Sequence, residues 1–102
     1  MTIPTPLCDL LGIDHPIILG GMMGISDAAL TTAVSNGGGL GTLSSATFGV
    51  DGTRAELSKI AETTNRSFSV NLPLFHPMVP NLLDLLPVFG VKIVTTSAGN
   101  PA

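Results

Sequence analysis

Residues 16–24 read PIILGGMMG, and this stretch constrains the fold more than any other in the chain. Ile17, Ile18 and Leu19 are branched apolar residues with no polar position between them. Such a run has no solvated face, so it predicts a short strand covered on both sides, as in a parallel sheet. Gly20 and Gly21 follow directly, then Met22, Met23 and Gly24. Glycine permits positive φ and lets the main chain approach a neighbour closely. The end of this strand therefore serves either as a tight turn into a helix or as a loop laid against a ligand.

The flanking segments extend the pattern. Residues 6–12 predict a short helix with Pro6 in its first turn and Gly12 as its stop. Leu7, Leu10 and Leu11 share one apolar face there, fit to plug the bottom of a sheet or barrel. Residues 1–5 read as a lead-in. After the glycines, Ser26 is placed to cap a helix whose apolar positions are Ala28, Ala29, Leu30, Ala33 and Val34. That helix should end at Asn36 and Gly37, with Gly37 as a left-handed cap.

A second strand is expected over residues 40–43, close-packed because of Gly38, Gly39 and Gly41, with a hydroxyl-rich loop at 44–47. Thr53 and Glu56 have capping-box spacing, and Leu57, Ile60 and Ala61 continue as a buried helical stripe. Residues 67–72 alternate polar and apolar and predict a third strand. Pro73 and Pro77 bracket a loop carrying Phe75 and His76. A helix of about residues 80–86, limited by Pro87, and a strand at 92–96 complete the order β-α-β-α-β-α-β. Such alternation implies an α/β fold with a parallel sheet. The strand spacing of roughly 25 residues suits either half of an eight-stranded barrel or a small open sheet.

Composition narrows the function. Only 11% of the 102 residues are charged, against roughly a quarter in an ordinary domain, so much of the surface is expected to lie against something else. Four basic residues and a net charge of −3 argue against a groove that tracks nucleic acid. No run nears the roughly 20 apolar residues of a membrane span, and Pro4, Pro6 and Asp9 break any signal-like segment. Cys8 is the only cysteine, which points to the cytoplasm. It has no basic neighbour that would favour a thiolate. His15 reads as structural, and no spacing suggests a metal site.

Four blocks carry a family resemblance: PIILGGM at 16–22, AVSNGGGLGT at 33–42, SVNL at 69–72 and VTTSAGNP at 94–101. In this order and spacing they resemble the nitronate monooxygenases, formerly grouped as 2-nitropropane dioxygenases. The FMN-dependent enoyl-acyl-carrier-protein reductases look nearly the same here. The resemblance implies that residues 1–102 are the N-terminal half of a TIM-type barrel, with about four parallel strands alternating with helices and FMN at the C-terminal ends of those strands. By similarity Gly20, Gly21 and Met22 would lie against the flavin. Asn71 would hydrogen-bond it, and Ser97, Ala98 and Gly99 would line the same mouth.

The family's catalytic histidine sits in a Gly-Gly-His stretch, and its flavin phosphate is held after the seventh and eighth strands. Neither feature occurs in this sequence, and His15 and His76 lie outside that motif, so no catalytic residue is assigned. The resemblance thus implies an FMN-dependent oxidoreductase portion that acts on nitronates or nitroalkanes with dioxygen. The alternatives are a non-catalytic fragment and an enoyl-acyl-carrier-protein reductase. An open half-barrel surface is also expected to promote self-association.

Overall fold

The computed structural model describes residues 5–99. The elements are α1 (Pro6–Leu11), α2 (Ala28–Asn36), β1 (Gly41–Ser44), α3 (Ser45–Thr63), β2 (Phe68–Pro73), α4 (Val79–Leu85) and β3 (Ile93–Ser97), with a 3-10 turn at Leu86–Phe89 after α4. The strands form one parallel sheet in the order β1-β2-β3. Thr42 stands beside Ser69, Ser44 beside Asn71, and Asn71 beside Thr95. The α/β alternation and the parallel sheet follow the sequence reading. The lead-in expected over residues 1–5 lies outside the described residues except for Thr5, as do Asn100 and Pro101 of the last block.

The first expected strand is reduced to a single parallel bridge, Ile18 to Leu40. Leu40 N donates to Ile17 O at 2.8 Å and Leu19 N to Leu40 O at 2.9 Å. This segment has a sheet neighbour on one side only. Ile17 and Ile18 are accordingly 60% and 45% exposed rather than covered on both sides.

Side chains alternate across a strand, and the two faces of this sheet differ. Leu43, Val70 and Leu72 point to one face and pack with Leu57 and Ile60 of α3, Leu82 and Leu85 of α4, and Leu86. Each such leucine contributes about 1.5–3 kcal/mol by leaving water. The opposite face carries Leu40, Thr42, Ser44, Ser69, Asn71, Ile93, Thr95 and Ser97. At its N-terminal end α1 seals it, with Cys8 and Ile13 packing on Leu40 and with Leu11 and Ile93 beside them. The plug was expected, but its inward face is Cys8 and Leu11, while Leu7 and Leu10 are 38% and 79% exposed. Thr5, whose side chain accepts from Cys8 N, and the left-handed Gly12 set the ends of α1 and turn those two residues inward.

Three local expectations are corrected. Asp27, not Ser26, caps α2, accepting from Leu30 N at 2.9 Å. Gly37 is right-handed, and the positive φ falls one residue later, at Gly38. Thr53 and Glu56 form no capping box, because the longer helical run of α3 already begins just after the break at Gly49, ahead of Thr53. The expected loop at 44–47 is mostly the first turn of α3. Thr53 is fully buried inside that helix. Glu56 instead reaches across to α2, where its Oε1 accepts from Ala28 N at 3.1 Å and its Oε2 lies 2.8 Å from Lys59 Nζ. A carboxylate at a helix N-terminus satisfies an otherwise unpaired donor and suits the helix dipole.

Candidate functional site at the C-terminal ends of the strands

In parallel α/β sheets, ligands gather at the C-terminal ends of the strands, where the loops to the following helices converge. Four segments meet there. They are residues 20–25 after the Ile18 bridge, the Ser44–Thr47 turn after β1, the end of β2 at Asn71, and residues 97–99 after β3.

Asn71 is the hub. Its Nδ2 donates to Ser97 Oγ at 3.2 Å, and its Oδ1 accepts from Thr95 Oγ1 at 2.9 Å. Its main-chain oxygen accepts from Ser45 Oγ at 2.6 Å. The two side-chain bonds hold the amide between Thr95 and Ser97. A primary amide has two donor hydrogens and two acceptor lone pairs, so Asn71 keeps one of each in reserve. Gly21 lies directly on it, since a Cβ added to Gly21 would sit 2.6 Å from Asn71 Cβ. The sequence assigned Gly21 to contact with a ligand, yet the close neighbour that requires glycine there is Asn71 itself.

Gly20 differs. A Cβ there would meet nothing within 4 Å, and its φ lies outside the left-handed region. No intramolecular reason within the described residues demands glycine at this position. Met22, beside it, is 40% exposed. Ala98 holds a φ of 54°, the one positive value at a non-glycine position among the described residues. Such strain clusters at functional loops. A Cβ at Gly99 would lie 2.7 Å from Leu74 Cβ, so the 97–99 turn packs on the loop after β2. All seven residues singled out in the sequence thus fall at one end of the sheet. Direct contacts join Gly21, Asn71 and Ser97.

Sequence reasoning missed Ser26, Ser45, Thr47 and Thr95. Ser45 and Thr47 stood in the hydroxyl-rich loop, Thr95 was read only as a strand residue, and Ser26 was read as a cap. His76 follows β2, but its Nδ1 accepts from Met78 N at 3.2 Å, which commits that nitrogen to the local turn.

The charged groups lie elsewhere. Arg66 pairs with Asp14 at 2.9 Å, near the N-terminal ends of the strands. A cavity of about 170 Å³ there is lined by Arg66, Phe68, Gly90 and Lys92. Two larger cavities lie over α3, one against α2 and one beside Phe89. None of the three shares a residue with the loop cluster. The hydrogen bond and the charge of Glu56 hold the Lys59 ammonium above its ordinary pKa. Among the described residues no three metal-ligating side chains gather, and no helix is long and apolar enough to cross a membrane.

Known proteins resemble this chain in sequence and fold. FabK from Thermotoga maritima superposes with a TM-score of 0.93 at 38% identity, over 98% of this chain and 32% of its own. This likeness supports the reading of the α/β sheet as part of a TIM-type barrel. The (3aS,4S,5R,7aS)-5-hydroxy-7a-methyl-1-oxo-octahydro-1H-indene-4-carboxyl-CoA dehydrogenase of Mycobacterium tuberculosis is 35% identical over 95 residues, which is 93% of this chain and 27% of that protein. The nitronate monooxygenase of Paraburkholderia phytofirmans is 41% identical over 71 residues, 70% of this chain and 19% of that protein. The chain therefore spans about a fifth to a third of the length of these relatives. The family model described as Nitronate monooxygenase matches residues 4–84. By sequence and fold, the chain belongs to the nitronate monooxygenase family.

Proposed function

We propose that residues 1–102 supply the N-terminal, flavin-facing half of an FMN-binding barrel, in an oxidoreductase that oxidises alkyl nitronates or nitroalkanes with dioxygen. The observation that carries this reading is the convergence of Gly20–Met22, Asn71 and Ser97–Gly99 at the C-terminal end of one parallel sheet, with Asn71 bonded to Ser97 at 3.2 Å.

The residues fit one part of the cofactor and not another. The open space at Gly20 admits a flat ring against the main chain. The spare donor and acceptor of Asn71 suit the mixed polar edge of an isoalloxazine. Met22 offers a polarisable apolar contact. No Lys or Arg stands in this cluster, since the chain's four are Arg54, Lys59, Arg66 and Lys92. The phosphate would therefore be held outside these residues. FMN supplies the redox chemistry, and these side chains bind and orient it. No residue of the cluster is a general base, so proton removal from a nitroalkane falls to a group beyond them.

An enoyl-acyl-carrier-protein reductase is a second reading, favoured by the likeness to FabK over 98% of the chain. The M. tuberculosis relative, named as a carboxyl-CoA dehydrogenase, adds support only for a thioester substrate. A protein without catalysis of its own is the third reading. The compartment is read as cytoplasmic. The exposed Ile17, Ile18 and Val94 at the sheet margins are read as surfaces for association with a second copy or another chain.

FMN titration followed by flavin fluorescence tests the central reading. Saturable quenching that weakens in Asn71→Ala is the expected result, and absence of binding overturns it for this chain. A protein carrying the whole barrel, assayed on propionate-3-nitronate and on an enoyl thioester with NAD(P)H, separates the two chemistries.

A further inference from the structure

We propose that Ser26 and Thr47 are positioning residues. They set the shape of the loop at residues 20–25 and, through that shape, the affinity of the mouth for flavin. The second step rests on the flavin reading above.

The loop has little apolar packing to hold it. Met22, Met23 and Ile25 are 40%, 68% and 59% exposed. A segment with few buried contacts opens easily unless polar bonds tie it down. Ser26 provides the inner tie and is 1% exposed. Its Oγ donates to Gly20 O at 3.1 Å and accepts from Met22 N at 2.9 Å, so one hydroxyl closes the loop at two points. Its main chain adds two more bonds, Ser26 N to Met22 O and Ser44 N to Ser26 O, both 2.9 Å. The second of these anchors the loop to the end of β1. Thr47 provides the outer tie. Its Oγ1 accepts from Gly24 N at 2.7 Å and reaches Ser44 Oγ at 3.4 Å. Both ties converge on Ser44, so β1 fixes the loop between Gly20 and the mouth.

Thr47 is exposed, and its replacement leaves the core intact, whereas Ser26 is buried and Ser26→Ala alone could fail by misfolding. The test therefore uses Thr47→Val, Thr47→Ser and Ser26→Ala in the full chain. Amide hydrogen exchange is followed at Met22 and Gly24, with Leu43 and Val70 as core references, and FMN affinity is measured by fluorescence. The expected result in Thr47→Val is exchange at Gly24 faster by about fivefold, the worth of one hydrogen bond. FMN affinity should be weaker by a similar factor, the core amides unchanged, and Thr47→Ser restored on both counts. Ser26→Ala should do the same at Met22. Unchanged exchange at Gly24 in Thr47→Val overturns the inference whatever the flavin does. Faster exchange with unchanged FMN affinity overturns the link from loop to flavin. If the unsubstituted chain takes up no FMN, the functional reading fails. The loop-setting role then stands or falls on exchange alone.

Discussion

Two glycine-bearing stretches of this chain look alike in sequence and differ in what surrounds them. At residues 38–41 the glycines are filled against the protein itself. A Cβ on Gly41 would collide with Thr31 O and Ser35 Oγ of α2. Ser35 Oγ also accepts from Gly41 N at 3.0 Å. At residues 20–24 the space at Gly20 and Gly24 is open. The first stretch holds α2 against β1 and leaves every residue of β1 buried. The second is exposed, tied by hydroxyls, and stands at the C-terminal end of the sheet. Glycine content alone therefore does not tell a packed stretch from an open one. What differs is the surroundings: Gly38, Gly39 and Gly41 all meet protein atoms, whereas in the second stretch only Gly21 does, against Asn71, and Gly20 faces open space.

Three substitutions and one change of condition test these readings, in order of decreasing effect on stability. Gly41→Ala should destabilise the fold by more than about 4 kcal/mol, because main-chain oxygen cannot move aside without shifting α2. Chemical denaturation would show it as failure to fold or as a large drop in midpoint. Leu57→Ala, which empties a fully buried site under β1 and β2, should cost about 2–5 kcal/mol by the same measurement. Gly20→Ala should leave stability unchanged or raise it by up to about 1 kcal/mol, since the unfolded chain loses freedom and nothing clashes. It should nevertheless weaken FMN binding. Unchanged affinity in a stable Gly20→Ala protein would mean that nothing docks at that backbone.

The smallest effect is that of pH on the Lys59–Glu56 pair. The folded-state pKa of Lys59 is raised, so its contribution is fully present below the ordinary value of 10.5 and is lost as pH rises through the raised one. Melting temperatures of the wild type and Lys59→Met should converge above that range. Lys59 is exposed, so the gap below it should be small.

The helix-covered side of the sheet was legible because its signals are local. Alternating Phe68, Val70 and Leu72, the stripe of Leu57 and Ile60, and the glycine and proline stops each act within a few residues. The misreadings have different causes. Ser26 has the chemistry of a cap, but Gly20 and Met22 take its hydroxyl, and Asp27 caps α2. Glu56 has capping-box spacing, but the unpaired Ala28 N of another helix claims it. Ile17 and Ile18 have the composition of a covered strand, yet they lie at a margin with one neighbour. The candidate site was legible as a set of neighbouring positions through the four sequence blocks. Its internal wiring, with Thr95 and Ser45 orienting Asn71, depends on strand register, which no local pattern encodes.

The central claim, that the C-terminal end of this sheet meets the flavin, is tested most directly by mapping amide shifts in the labelled chain during FMN titration. The account predicts saturable shifts at Gly20, Gly21, Met22, the Asn71 side-chain amide, Ser97 and Gly99. Arg66, Phe68 and Lys92 at the opposite end should stay unmoved. Shifts confined to the Arg66–Lys92 end, or none at all up to saturating FMN, would contradict it.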